Sequence, residues 1–340
     1  MPDAALPEPP GARVRDRVVP RWRRELAEAF RAPADLLRFL GLPSSADAAA
    51  DHGFPLLVPR AFAARMRRGD PRDPLLLQVL PQIAEASDVP GFTADPVAEA
   101  VALAAPGLVR KYAGRALVLV TGACAVHCRY CFRREFPYAD AGASRTGVAA
   151  ALDAVAADTS ISEVILSGGD PLLADDERLG EIVARLEAMS HIRRLRIHTR
   201  LPVVLPSRVT DGLAGLMRGS RLSVVVVVHA NHAAEIDAAV AAAFGRLAAA
   251  RCLLLNQAVL LAGVNDSAAA LRDLSERLVD AGVLPYYLHL LDRVRGAAHF
   301  EVPEPRAIEL HRALRDALPG YAVPRLVREE PGAPAKTWVA

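Results

Sequence analysis

The chain has 340 residues, 52% of them hydrophobic, and 41 Lys and Arg stand against 39 Asp and Glu for a net charge of +2. That is enough apolar material for a well-buried core, and the even charge balance excludes a strong global field toward nucleic acid or a membrane surface. Four cysteines in a chain of this length exclude a disulfide scaffold and fit a reducing compartment where thiols stay free for metal.

The opening "MPDAALPEPPGARV" is Pro-rich and acidic, lacks the basic-then-apolar pattern of a secretion signal, and residues 1–15 are expected to be a loose tail. No run of about 18 apolar residues suggests a membrane span, so a cytoplasmic location is expected. The arginines of "RVVPRWRREL" suit a solvated helix face. From Trp22 to about Gly107 the pattern is mostly helical. "ELAEAFRAPADLLRFLGL" places Leu26, Phe30, Leu36, Leu37 and Leu40 at helical spacing with a break near Pro33. "PLLLQVLPQIAEA" and "PVAEAVALAAPG" read as further short helices.

Beyond residue 115 apolar strand-like runs alternate with helical ones. Strands are expected at 116–122, 163–168, 194–199, 222–229, 253–261 and 285–291. The stretches between them, such as "GVAAALDAVAAD" and "RLGEIVARLEAMS", carry helical periodicity. Continuous apolar strands joined by helices imply parallel βα units covered on both faces. Six units fall short of the eight that close a barrel, so the expected fold class is α/β, a partial (β/α)6 TIM-like barrel. Its expected parts are an N-terminal tail and helical region (1–107), the partial barrel (108–300) and a C-terminal segment (301–340). In such a fold the site lies at the carboxyl ends of the strands. Cys124, Gly168-Gly169-Asp170, His198-Thr199-Arg200, His229, Gln257 and Asp292 all fall there.

"TGACAVHCRYCFRREF" (121–136) holds three cysteines spaced C-x3-C-x2-C: Cys124, Cys128 and Cys131. Three thiolates can hold three irons of a cubane cluster and leave the fourth open to an exogenous ligand. A structural zinc wants four ligands, and His127 is the one nearby candidate for the fourth. A zinc-binding interaction protein and chance packing of small thiols are the blander readings. Cys252, at a strand start, suits the core. "LSGGDPL" (166–172) could admit a ligand close to the backbone and offer carbonyls to an ammonium group, although an ordinary βα turn would look the same. Lys336-Thr337 is not a phosphate loop, because Ala335 stands where glycine is required.

The cysteine spacing, with an aromatic at Tyr130, resembles the radical S-adenosylmethionine (SAM) enzymes. From about residue 105 onward the chain is similar to the lysine 2,3-aminomutase family within them. The stretches that carry the likeness are "KYAGRALVLVTGACAVHCRYCFRR", "ILSGGDPL", "RIHTRLPVVLPSRVT", "NQAVLLAGVND", "PYYLHLLD" and "PGAPAKT". The resemblance implies a [4Fe-4S] cluster on Cys124, Cys128 and Cys131, with SAM on the open iron. Gly168, Gly169, Asp170, His229 and Gln257 are the accompanying cofactor-binding candidates. It implies pyridoxal 5′-phosphate (PLP) linked to Lys336, with Lys111, Tyr112 and Arg115 at its phosphate. It implies Arg133 as the anchor of the substrate carboxylate and Asp292 as the acid that meets the ε-ammonium. Glu329 occupies the position of a second such acid, an aspartate in the lysine-specific enzymes.

The stretch "LHLLDRVRGAAHFEVP", and Ser267 where longer members carry a zinc cysteine, resemble the short branch that modifies elongation factor P. Structural zinc is not expected. That branch implies conversion of (S)-α-lysine to (R)-β-lysine, a lysyl ligase that attaches the product to the factor, and a one-electron reductant protein. The subunit count is left open, a homo-oligomer among the options. The rival readings are an aminomutase for another amino acid such as glutamate, which Asp292 argues against, and a non-catalytic iron–sulfur module.

Overall fold

A computed structural model describes residues 19–44 and 53–340; the segment expected to be a loose tail lies outside them. In the N-terminal region α1 (Arg21–Ala27) and α2 (Pro33–Leu40) are separated as Pro33 dictates, since proline fits the first turn of a helix but not its interior. Gly41 ends α2 at φ 71°, a left-handed cap. Leu36, Leu37 and Leu40 turn inward from it. Phe30 lies outside both helices, and its backbone exchanges hydrogen bonds with Val58. Two single-turn helices follow, α3 (Arg60–Ala63) and α4 (Pro74–Leu77), the second capped by the Asp73 carboxylate.

The helix expected over "PVAEAVALAAPG" is not formed. A single 3-10 turn at Ala100–Ala102 leads into β1 (Leu103–Ala105), which pairs antiparallel with β2 (Leu108–Val109). Pro106-Gly107 makes the turn. Gly107 sits at φ 74°, and a Cβ there would lie 2.8 Å from the Gly147 carbonyl oxygen. The turn chemistry overrides the helical propensity of the alanines.

The six expected strands are present as β3 (Arg115–Thr121), β4 (Glu163–Gly168), β5 (Arg194–Thr199), β6 (Ser223–Val228), β7 (Leu253–Val259) and β8 (Leu284–His289). They pair in parallel in chain order. A seventh parallel strand, β9 (Arg325–Arg328), and an antiparallel β10 (Thr337–Trp338) extend the sheet. The ten strands run in sequence order with β1 and β10 at opposite ends, so the sheet is an open crescent. This is a partial TIM-like barrel.

Helices α5 (Arg145–Ala157), α6 (Asp176–Glu187), α7 (Leu201–Val204), α8 (Asp211–Gly219), α9 (Ala238–Ala249), α10 (Ala268–Asp280) and α11 (Glu304–Ala317) connect the strands. Ser144, Asp175, Thr210, Asp237 and Ser267 each accept a backbone N–H at the start of α5, α6, α8, α9 and α10. These caps fix where the helices begin and so how each βα turn aims its residues. Every residue of β4 is buried, as a strand covered on both faces must be. Among the described residues no helix is long and apolar enough to cross a membrane.

Candidate active site

One cavity of about 470 Å3 opens at the carboxyl ends of the strands, and all fifteen candidate residues named from the sequence line it. The cysteine loop leaves β3 at Thr121. Its three thiols are free, a soft donor set that fits an iron–sulfur cluster. The residues between the thiols are pinned to the N-terminal region. The His127 backbone N–H donates to the Leu57 carbonyl at 3.0 Å and its Nδ1 donates to the Pro55 carbonyl at 2.8 Å. Its ring stacks on Phe54, so His127 is tied into this packing instead of serving as a fourth ligand of a zinc site. Arg129, fully buried, donates through Nε to Glu85 at 2.7 Å and through Nη1 to the Phe54 carbonyl at 2.6 Å. Arg134 reaches the same Glu85 at 2.8 Å. Burial alone would raise the Glu85 pKa, but the two guanidinium groups outweigh it and hold the carboxyl below its ordinary value.

Gly168 and Gly169 serve contact between strands. Gly168 has φ 119°, and a Cβ on it would lie 2.3 Å from the Thr121 carbonyl oxygen; on Gly169 it would lie 2.1 Å from that of Ala123. The tip of β4 therefore lies against the root of the cysteine loop, and Gly169 N–H donates to Thr121 at 2.7 Å. The Gly168 carbonyl, expected to be open to an ammonium group, already accepts from Arg133 Nη1 at 3.0 Å and from the Tyr138 hydroxyl at 2.8 Å. Asp170 is likewise engaged. It accepts from the Thr199 hydroxyl at 2.8 Å and from the backbone N–H groups of Leu172, Arg200 and Leu201. Burial lifts its pKa to about 6 against the pull of these bonds. Asp170 thus ties the end of β4 to the end of β5.

Arg133 points inward beneath the cavity. Nε and Nη2 donate to the two oxygens of Glu99 at 2.5 and 2.7 Å, and Nη1 also donates to the Ser167 hydroxyl at 3.0 Å. An internal carboxylate therefore occupies the side of the guanidinium that a substrate carboxylate would use. Glu99 went unrecognised in the sequence because it lies in the stretch read as a helix. Ala98 before it is in the left-handed region at φ 51°, and Asp95 accepts the Glu99 backbone N–H at 2.9 Å.

On the opposite wall, Lys336 Nζ donates to Glu329 Oε2 at 2.5 Å, the Tyr112 hydroxyl donates to Glu329 Oε1 at 2.7 Å, and Lys111 Nζ stands 3.4 Å from Oε1. Burial would raise the Glu329 pKa, but Lys336, Tyr112 and Lys111 outweigh it and keep the carboxylate ionised. Burial and the Glu329 charge both raise the Tyr112 phenol. Arg115 lies over the Tyr112 ring, 5.1 Å from its centroid, and forms no ion pair among the described residues. The unpaired Arg115 guanidinium thus lines the same cavity as the Lys111 ammonium and the Tyr112 phenol, a donor set suited to a phosphate.

Three imidazoles fill the floor. The Gln257 amide donates to His229 Nε2 at 2.6 Å, and burial, then the nearby Arg200, Arg133 and Lys336, depress the His229 pKa to about 3. His198 and His289 are also held neutral by burial, and the Nε2 of each is buried without a partner among the described residues. Such orphaned atoms in a cavity wall fit a polar ligand lying against them. The Asp292 carboxylate lines the cavity with no hydrogen bond from a described side chain. Burial raises its pKa to about 7; Lys336 and Lys111 pull it down, while Glu329 and Glu99 push it up. Tyr287, which the sequence did not single out, places its ring 5.9 Å from Lys336 Nζ.

Residues 112–197 match a family described as a 4Fe-4S single cluster domain. The chain is 47% identical to an L-lysine 2,3-aminomutase of Escherichia coli over 93% of both chains. It is 46% identical to one from Haemophilus influenzae, over 94% of this chain and 95% of that one. A longer L-lysine 2,3-aminomutase of Clostridium subterminale is 32% identical over 93% of this chain and 77% of its own. Among solved structures, a radical SAM methyltransferase from Sphaerobacter thermophilus is a distant likeness: TM-score 0.43 and 18% identity over 65% of this chain and 68% of that one. Identity at this level across almost the whole length, on a crescent sheet that gathers three thiols into its cavity, makes the chain a member of the L-lysine 2,3-aminomutase family, which are isomerases.

Proposed function

We propose that the protein is a radical SAM, PLP-dependent aminomutase that converts (S)-α-lysine to (R)-β-lysine. The observation that carries this reading is the convergence of the Cys124–Cys131 loop, the Lys336 amine and the Asp292 carboxylate on one cavity. The iron–sulfur cluster with SAM supplies, when bound, a carbon radical able to remove hydrogen from an unactivated carbon, and PLP supplies an aromatic system that carries the migrating amine.

The chain's own part is to bind, orient and exclude water. Cys124, Cys128 and Cys131 hold the cluster. Lys336 carries PLP, and Glu329, kept ionised, orients the Lys336 amine toward the cavity. Arg115, Lys111 and Tyr112 take the phosphate. Arg133 anchors the substrate carboxylate, which replaces Glu99 on the guanidinium. Asp292 ionises when the substrate's ε-ammonium arrives beside it, the one arrangement in which a buried charge is compensated. His198, His229 and His289 stay neutral and add no competing cations. Gly168, Gly169, Asp170 and Gln257 shape the SAM side of the cavity.

Free L-lysine is the substrate in this reading, with a one-electron reductant protein as partner. The product serves a lysyl ligase that modifies elongation factor P in the cytoplasm. The three-part division at 107 and 300 belongs to the same reading. Asp292 favours lysine over glutamate, whose side chain carries no cation. An anaerobic assay with isotope-labelled L-lysine, SAM, PLP and a reductant, read by chiral chromatography, tests it. Labelled (R)-β-lysine is expected; turnover of glutamate alone would overturn the substrate assignment.

A further inference from the structure

We infer that Arg200 is a positioning residue that sets the reduction potential of the iron–sulfur cluster through Cys128. This rests on the proposed cluster site. Arg200 follows β5 directly and is buried. Nη1 donates to Cys128 Sγ at 2.6 Å and to the Tyr130 hydroxyl at 2.8 Å, and Nη2 donates to Gln78 Oε1 at 2.7 Å and to Glu235 Oε2 at 3.1 Å. Its backbone N–H is held by Asp170 at 2.8 Å. The partners are themselves fixed. The Asn231 amide donates to Tyr130 at 2.6 Å and to Gln78 at 3.0 Å, and Glu235 accepts the Asn231 backbone N–H at 2.8 Å.

Three of the guanidinium's four partners, Tyr130, Gln78 and Glu235, are held by Asn231, which fixes the guanidinium in place. One terminal nitrogen faces the sulfur, and the balancing carboxylate of Glu235 takes the other. Among the described residues Cys128 is the one cysteine whose sulfur accepts from a guanidinium. A charge-assisted N–H···S bond withdraws electron density from a ligating thiolate and favours the more negative, reduced cluster. Burial leaves this field unscreened by salt. Arg200 therefore raises the potential and eases the one-electron step.

The test is an anaerobic redox titration of reconstituted holoenzyme followed by electron paramagnetic resonance, with iron and sulfide measured on the same samples. Two variants are compared with wild type. Arg200→Lys keeps the charge but not the fork. Arg200→Gln with Glu235→Gln removes both charges, so no carboxylate is left buried alone. The expected result is a full cluster in both and a more negative midpoint. For the double variant the reduced-to-oxidised ratio at a fixed potential should fall by about tenfold, equivalent to ~59 mV for one electron, with Arg200→Lys between. A wild-type midpoint in variants that carry a full cluster overturns the inference. So does failure of both variants to load a cluster, which would make the network a holder and not a tuner. A wild-type protein that forms no [4Fe-4S] signal overturns the site reading and the inference with it.

Discussion

Glu329 and Lys336 face each other across the hairpin of β9 and β10, one position beyond its last ladder pair, Arg328 with Thr337. The salt bridge at 2.5 Å follows from that register. A spacing of seven residues is what places the two side chains opposite each other, so the acid and the amine are set by strand pairing and not by loop conformation. Glu329 then serves Lys336 first, and its larger reach compared with aspartate suits that contact.

Lys336→Ala should abolish β-lysine formation and leave iron and sulfide content at the wild-type level. Borohydride reduction of PLP-loaded wild-type protein should add the cofactor's mass to the peptide containing Lys336. An adduct on another lysine, or normal turnover by the variant, would remove Lys336 from its role.

The pH behaviour of Asp292 has a definite sign. Its folded pKa, about 7, lies above the ordinary carboxyl value of 3.8. Between those values the folded protein holds a proton that the unfolded chain has lost, so this residue makes stability fall as pH rises through that window. Asp292→Asn should flatten that part of the stability–pH curve. Lysine binding should strengthen as pH rises toward 7 and level off above it, with a proton released on binding below that value. Calorimetry in two buffers of different ionisation enthalpy measures that proton. The charged groups facing Asp292 are Lys336, Lys111, Glu329 and Glu99.

Gly169→Ala should drive β4 away from the cysteine loop, because the added carbon has no room beside the Ala123 carbonyl. The expected cost is about 3 kcal/mol or more in urea unfolding, with lower iron content after reconstitution. Gly215→Ala on α8, where nothing lies within 4 Å of an added carbon, is the control and should be neutral or slightly stabilising.

Glu99→Gln should destabilise the protein by about 3–5 kcal/mol, since it leaves Arg133 buried without its counter-charge. Added L-lysine should then raise the melting temperature of PLP-loaded Glu99→Gln more than that of wild type, because the substrate carboxylate no longer competes with an internal one. Equal shifts would place the lysine carboxylate away from Arg133.

The six central strands were legible because each is a short, continuous apolar run bounded by helical periodicity, and the Val-rich β6 admits little else. The cysteine spacing and the final lysine were legible as motifs. Residues 96–107 were misread because alanines favour helix locally, while pairing with β3 and the Pro106-Gly107 turn decide the outcome. β9 is four residues long and only half apolar, too short to carry a period, and it exists because β8 offers it an edge. Glu99 had no signal at all, since its importance comes from a contact across 34 positions. Gly168 and Gly169 suggest a ligand's approach in sequence, but the close approach they permit is that of the neighbouring strand and the cysteine loop.

The cavity wall runs from Phe54 to Trp338. No shorter length of growing chain contains it, and synthesis delivers the three thiols well before Lys336. The residues that clamp the cysteine loop, Glu85 and Phe54, precede it in the chain, whereas the amine wall comes from the last strand pair, so truncation ahead of β10 would keep the first and lose the second.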